Sequence, residues 1–216
     1  MSSLKGLYAI TDTTRHQGQA LMRAVQEAIA GGVTVLQYRD KTTDAARRLD
    51  EASALAEYCQ QHGVCFIVND DIDLALNSQA DGVHLGGADG SIAAARDRLV
   101  KQAKHDLIIG ASCYDQIQRA EQAALEGADY IAFGAMFPSR TKPNAPQASA
   151  SLITDAQRRF GLPVCAIGGI TAENMSELSP ARPDMIAVVS DLFSSADIRT
   201  RARALHQQWQ KLNTPH

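Results

Sequence analysis

Eight short runs rich in β-branched and aromatic residues recur along the chain, and most are separated by segments with helical spacing. The runs are LYAIT (7–11), VTVLQYR (33–39), VCFIVN (64–69), GVHL (82–85), LIIGAS (107–112), YIAFGA (130–135), PVCAIGG (163–169) and MIAVVS (185–190). ALMRAVQEAIAGG and AARRLDEASALAEYCQQHG place apolar residues three and four apart and end on glycine, the usual stop for a helix. QIQRAEQAALEGADY repeats the theme, RTRARALHQQWQKL makes a last amphipathic helix, and the segment after GVHL is less regular. Strands that alternate with helices call for parallel βαβ units. An eight-fold count favours a closed (β/α)8 TIM barrel over an open doubly wound sheet, and no GxGxxG follows the first run. The expectation is a single α/β barrel domain over residues 1–216, near the short end of the size range for such barrels, with the last few residues a loose tail.

Composition narrows the partner. With 45% hydrophobic residues the chain can bury a real core, and a net charge of -3 without long like-charge runs offers no footprint for nucleic acid. The apolar runs fall far short of the roughly 20 residues of a membrane span. Cysteines 59, 65, 113 and 165 form no CxxC pair and no zinc spacing, and MSSLKGLYAI lacks the pattern of a secretory leader. These features predict a reduced, cytoplasmic protein that acts on small molecules and leaves homo-oligomerisation open.

Barrels of this class do their chemistry at the C-terminal ends of the strands. Gln37, Arg39 and Lys41 leave the second run as QYRDK, where alternation gives the three side chains one orientation, and converging Arg and Lys want an anion. Asn69 and Asp70 leave the third run, Asp89 follows the fourth through HLGGAD, and Ser112 ends the fifth. FPSRTKP after the sixth offers Ser139, Arg140, Thr141 and Lys142, a dense set of donors for phosphate. Taken singly, each is more often a helix cap or a solvated loop residue. Together they ring one mouth with both cations and carboxylates, and that mixture implies a metal between the carboxylates and an anion. Mg2+, held by one or two carboxylates plus phosphate oxygens and water, suits Asp70 and Asp89. Asp71 and Asp73 are expected on the following helix, where its dipole favours them. Two glycines in CAIGGIT and Ser190 in AVVSDLF suggest a second phosphate site on backbone amides, which tight turn packing would also explain.

LYAITD, GGVTVLQYRDK, FIVNDDIDLAL, ADGVHLG, GAS, GADYIAFGAMFPSRTK, PVCAIGGI and AVVS stand in an order and spacing that resembles the thiamine-phosphate synthase (thiamine-phosphate pyrophosphorylase) family over nearly the whole length. The resemblance implies a TIM barrel and a transferase that condenses hydroxymethylpyrimidine diphosphate with hydroxyethylthiazole phosphate, giving thiamine phosphate and pyrophosphate by Mg2+-assisted dissociative substitution. It assigns Gln37, Tyr38, Arg39, Asp40, Lys41, Asn69, Ser112 and Lys142 to the pyrimidine diphosphate and Asp70 and Asp89 to the metal. Ser139, Arg140 and Thr141, with Gly169, Val189 and Ser190, fall to the thiazole phosphate. Arg39, Lys41, Ser112 and Lys142 are the residues it implicates in catalysis. The chain departs from the family pattern at Gly87, where many members carry Gln, at Ser139 in place of Thr, and in PNAPQAS. Two rivals differ in chemistry: a thiazole tautomerase, which has no need of the diphosphate and metal residues, and a non-catalytic regulator that binds thiamine phosphates.

Overall fold

The computed structural model describes residues 4–87, 89–138 and 146–214. Eight parallel strands close on themselves in chain order: β1 (Gly6–Ile10), β2 (Val33–Tyr38), β3 (Cys65–Asn69), β4 (Gly82–Leu85), β5 (Ile108–Tyr114), β6 (Tyr130–Phe133), β7 (Val164–Ile167) and β8 (Met185–Val188). Around them lie α1 (Gly18–Ala30), α2 (Ala45–Gln61), α3 (Ile72–Asn77), α4 (Ile92–Lys101), α5 (Ile117–Leu125), α6 (Ala150–Phe160), α7 (Ser190–Phe193) and α8 (Ile198–Asn213). A 3-10 turn at Met175–Leu178 takes the helix position between β7 and β8. β1 pairs with β8, Gly6 against Met185, so the barrel of the sequence expectation is complete.

Alternation along each strand divides the core in two. Inward residues such as Tyr8, Val35, Ile67, Tyr130, Cys165 and Met185 fill the barrel, while Leu7, Leu36, Phe66, Val83, Ile131 and Ile186 face the helices. Burial at about 25 cal/mol per Å² makes the outer layer the main source of stability. The last helix seals the ring: a Cβ on Gly31 would lie 2.4 Å from the Cβ of Ala202 on α8, so a glycine at the end of α1 permits that approach.

Two sequence expectations shift. The segment after GVHL forms the regular helix α4, capped by Ser91 and burying Ile92, Ala95 and Leu99 at spacings of three and four. Several runs also overshoot their strands, β2 ending at Tyr38 and β7 at Ile167, because residues at the C-terminal mouth leave the ladder to form loops. Among the described residues no helix is long and apolar enough to cross a membrane. All four cysteines are buried and free.

Candidate active site

One side of the barrel mouth is built from charged side chains at the ends of β2, β3 and β4. Lys41 forms an ion pair with Asp70. Asp70 holds φ of 63°, a conformation an aspartate tolerates better than most residues, and its amide donates to the His84 carbonyl at 2.8 Å. Asp89 folds back so that Oδ2 accepts from the Gly86 amide at 2.9 Å, and it lines the same cavity as Asp70. Burial alone would raise Asp70, but the Lys41 ammonium and the Asp89 contact bring it below the usual carboxylate range. Asp89 moves the other way, raised by burial and by the negative neighbour. A cavity of about 500 Å³ opens here, lined by Lys41, Asn69, Asp70 and Asp89 among others.

The two flanking acids stay out of this pair. Asp71 Oδ1 accepts from the Leu74 amide at 2.9 Å and so caps α3, while its other oxygen meets Arg48 at 3.0 Å. Asp73 sits in the first turn of α3, paired with Arg98. Both positions are as the sequence implied.

The QYRDK segment divides by face. Gln37 points into the barrel, and Arg39 is exposed at the mouth with its amide bound to Thr11 Oγ1 at 2.9 Å. The side chains of Tyr38 and Asp40 turn instead toward α2. Tyr38 Oη donates to Glu51 at 2.7 Å, and Asp40 meets Arg47 at 2.6 Å and accepts from the Thr42 amide at 2.8 Å. These two brace the loop from behind, and Arg39 and Lys41 leave it on the open side.

The opposite side, at β7 and β8, is made of backbone. Gly168 and Gly169 both take positive φ, 100° and 65°. A Cβ on Gly169 would lie 2.5 Å from the Pro138 carbonyl oxygen and 2.6 Å from that of Phe137, so nothing larger fits. Asn174 fastens the turn, its Nδ2 donating to the Gly169 carbonyl at 2.9 Å. Val189 and Ser190 follow β8 at the start of α7. Asp191, next to Ser190, is turned onto Arg201 of α8 at 2.5 and 2.9 Å, and Arg201 also grips Glu173 at 2.7 and 2.8 Å. That guanidinium offsets the Asp191 charge beside Ser190, and its hydrogen bonds bring Glu173 down to about 2.

Between the two sides Ser112 is half-buried in β5, two residues before the strand ends at Tyr114, its Oγ 2.8 Å from His84 Nε2. Burial pushes the His84 imidazole down to about 4, so it is neutral. Ser139, Arg140, Thr141 and Lys142 lie outside the described residues.

The sequence model of a family described as thiamine monophosphate synthase matches residues 7–192. The chain belongs to the thiamine monophosphate synthase family. It is 50% identical over 202 residues to the thiamine-phosphate synthase of Chromobacterium violaceum, covering 94% of this chain and 95% of that one. To the thiamine-phosphate synthase of Halorhodospira halophila it is 46% identical over 210 residues, 97% of each chain. The solved thiamine phosphate pyrophosphorylase from Pyrococcus furiosus superposes with a TM-score of 0.86 at 31% identity, covering 97% of both chains. Identity of this order over nearly the full length carries the family's activity: the chain is a transferase with thiamine-phosphate synthase activity. Within this synthase fold the sequence reading overlooked Tyr8, Tyr130 and His84. Their one signal was a polar residue at an inward strand position, which in a barrel has no water to meet.

Proposed function

We propose that the chain joins hydroxymethylpyrimidine diphosphate to hydroxyethylthiazole phosphate with Mg2+ as cofactor, releasing pyrophosphate and thiamine phosphate. The observation that carries this reading is the Asp70–Asp89 pair beside Lys41 in one cavity, two carboxylates and an ammonium where a metal diphosphate needs both. The donor set fits Mg2+, which takes oxygen ligands and draws the rest of its shell from substrate phosphates and water. Asp70 and Asp89 would hold the ion, which when bound supplies neutralisation of the charge that builds on the departing diphosphate.

The chain's own residues do the remainder. Lys41 and Asp70 neutralise each other as a pair, so they can separate around an anion and a cation without leaving a net charge in the site. Arg39, at the same rim, and Lys142 bind the diphosphate oxygens and stabilise them as the C–O bond to the pyrimidine methylene breaks. Asn69 and Ser112 orient the pyrimidine. The thiazole nitrogen forms the new C–N bond with its own lone pair, so no general base is required. Its phosphate is held by Gly169, Val189, Ser190 and the Ser139–Thr141 segment. The packed barrel interior beneath keeps water from the methylene carbon while it carries positive charge. Four buried free thiols suit the reducing environment of the cytoplasm.

An assay of pyrophosphate release tests the reading. Release is expected when both substrates and Mg2+ are present and is lost in EDTA. Isomerisation of the thiazole phosphate alone would establish a tautomerase instead, and binding without turnover a regulator.

A further inference from the structure

Behind the loop that carries Arg39 and Lys41 lies a cluster of charge supplied by α2. Arg47 and Glu51 stand one helical turn apart on that helix, and Arg47 Nη1 donates to Glu51 Oε2 at 3.0 Å. Arg47 Nη2 reaches two further residues at once, Asp40 Oδ2 at 2.6 Å and Thr42 Oγ1 at 2.7 Å. These are the neighbours of Lys41 on either side, so one nitrogen holds both ends of the segment whose middle residue pairs with Asp70. Asp40 adds a second tie, its Oδ1 accepting from the Thr42 amide at 2.8 Å. Glu51 carries the cluster to other elements. Its Oε2 accepts from Tyr38 Oη at 2.7 Å, and its Oε1 accepts from the Gly18 amide at the start of α1 at 2.6 Å.

The side chains of Asp40 and Glu51 are 0% and 6% exposed and that of Arg47 is 23% exposed, so two carboxylates share one guanidinium largely out of water. A buried ion cluster is weak evidence of stability, because desolvating the charges costs about as much as their attraction returns. In some proteins such clusters instead select one conformation. What this one selects is a loop. Strand alternation turns Tyr38 and Asp40 toward α2, where the cluster grips them, and leaves Arg39 and Lys41 exposed on the open side. Long, exposed cations lose much rotamer freedom when a ligand orders them, and a backbone already fixed at 40 and 42 lowers that cost.

We propose that Arg47 and Glu51 are positioning residues for the pyrimidine diphosphate: they clamp the backbone on both sides of Lys41, so that Lys41 and Arg39 meet the diphosphate already placed. The proposal rests on the diphosphate reading above and adds the source of preorganisation for its two cations. Tyr38 and Asp40 then act through the clamp and not by touching the substrate. The fork of the guanidinium matters as much as its charge, because an ammonium cannot bridge Asp40, Thr42 and Glu51 in one fixed plane.

Calorimetry on the full chain, with pyrophosphate and Mg2+ as the probe, tests this without turnover. The wild type is expected to bind pyrophosphate. Arg47→Met, which keeps the length of the side chain and loses the fork, is expected to weaken that binding about 10-fold, with the affinity for hydroxyethylthiazole phosphate unchanged. Repeated on a Lys41→Ala background, the same substitution is expected to cost about threefold or less, since one of the two clamped cations is gone. An equal loss in both backgrounds would make the cluster structural and overturn the clamp. Arg47→Lys keeps the charge without the fork and is expected to lose affinity too; wild-type affinity there would overturn the proposal. If Arg47→Met fails to fold, Arg47→Lys carries both comparisons. Absence of pyrophosphate binding in the wild type would refute the diphosphate reading and the clamp with it, whereas equal binding in the wild type and the folded variants would overturn the clamp alone.

Discussion

The two sides of the barrel mouth differ in what they would offer the anions of the proposed reaction. At β2–β4 the groups are side chains: Lys41 pairs with Asp70, Asp89 lines the same cavity, and all three are exposed or half-buried at the rim. At β7–β8 they are stretches of main chain shaped by Gly168 and Gly169, with Asp191 and Glu173 drawn away onto Arg201. A site of side chains can re-pair its charges as bonds break, which suits the side where the proposed reaction releases pyrophosphate. A site of backbone amides has a fixed shape and fixed dipoles, which suits a phosphate that is carried through the reaction unchanged. The contrast predicts that isosteric charge changes hurt one side and added methyl groups hurt the other.

The largest effect is expected at Asp70. Asn is nearly isosteric and, like Asp, tolerates positive φ, so Asp70→Asn removes the charge without disturbing the turn. Activity with Mg2+ should drop by about 100-fold or more, comparable with the loss of one preorganised group at a developing anion. Asp71→Asn is the control: Asn caps a helix as well as Asp does, so rate and melting temperature should stay close to wild type. Equal losses in the two variants would mean that the carboxylates of this side are structural.

Gly169→Val comes next. The left-handed turn and the carbonyl oxygens at 2.5 and 2.6 Å leave no room for a side chain, so the backbone must shift. KM for the thiazole phosphate should rise by roughly 10-fold or more, since the loss is of fixed hydrogen bonds to an anion. Calorimetry with each substrate alone should find the pyrimidine diphosphate little affected. Uniform weakening of both would erase the distinction between the two sides.

Arg201→Gln gives the smallest change and sharpens the comparison. It releases the Asp191 charge beside Ser190, and KM for the thiazole phosphate should rise about threefold at low salt and less at high salt, as expected for a screened charge. The same variant carries a pH signature. Because Arg201 holds Glu173 at about 2, below its ordinary 4.5, the pair contributes stability above pH 4.5 and loses it as pH falls toward 2. Denaturant midpoints of wild type and Arg201→Gln should therefore differ at neutral pH and converge across that window. A constant difference would place the stabilisation elsewhere.

Much of this was legible in the sequence, for reasons that differ by residue. The barrel followed from eight β-rich runs, because a repeated βαβ pattern leaves few ways to close. Asp70 and Asp89 stood out since carboxylates at two successive strand exits exceed what one helix cap requires, and Asp71 did prove to be the cap. Alternation in QYRDK could be read for Gln37, Arg39 and Lys41, but the partners of the other two side chains, Glu51 for Tyr38 and Arg47 for Asp40, lie on the next helix and show only in the fold. The buried hydrogen bonds that join Gln37, Tyr8, Tyr130, His84 and Ser112 across the barrel interior were out of reach, because they depend on which residues share a level across strands. His84 lies level with Gly110, and Ser112 with Ala132, and that register is a property of the closed sheet rather than of any local segment.

The seam between β1 and β8 bears on how the polypeptide is made. Gly6 has no partner on that edge until Met185 has left the ribosome, so for most of translation the first strand presents an unpaired parallel edge to solvent. Leu7 and Ala9 likewise wait for the last helix, α8, to cover them. The β1–β8 ladder joins strands at opposite ends of the chain while the other ladders join neighbours, so its loop closure costs the most entropy and it is expected to form last. Trp209, the single tryptophan, rides on α8 with Lys5 Nζ 5.9 Å from its ring, at the seam itself. Its emission during refolding therefore reports closure of the ring, late and in one phase, while far-ultraviolet dichroism reports the earlier helices.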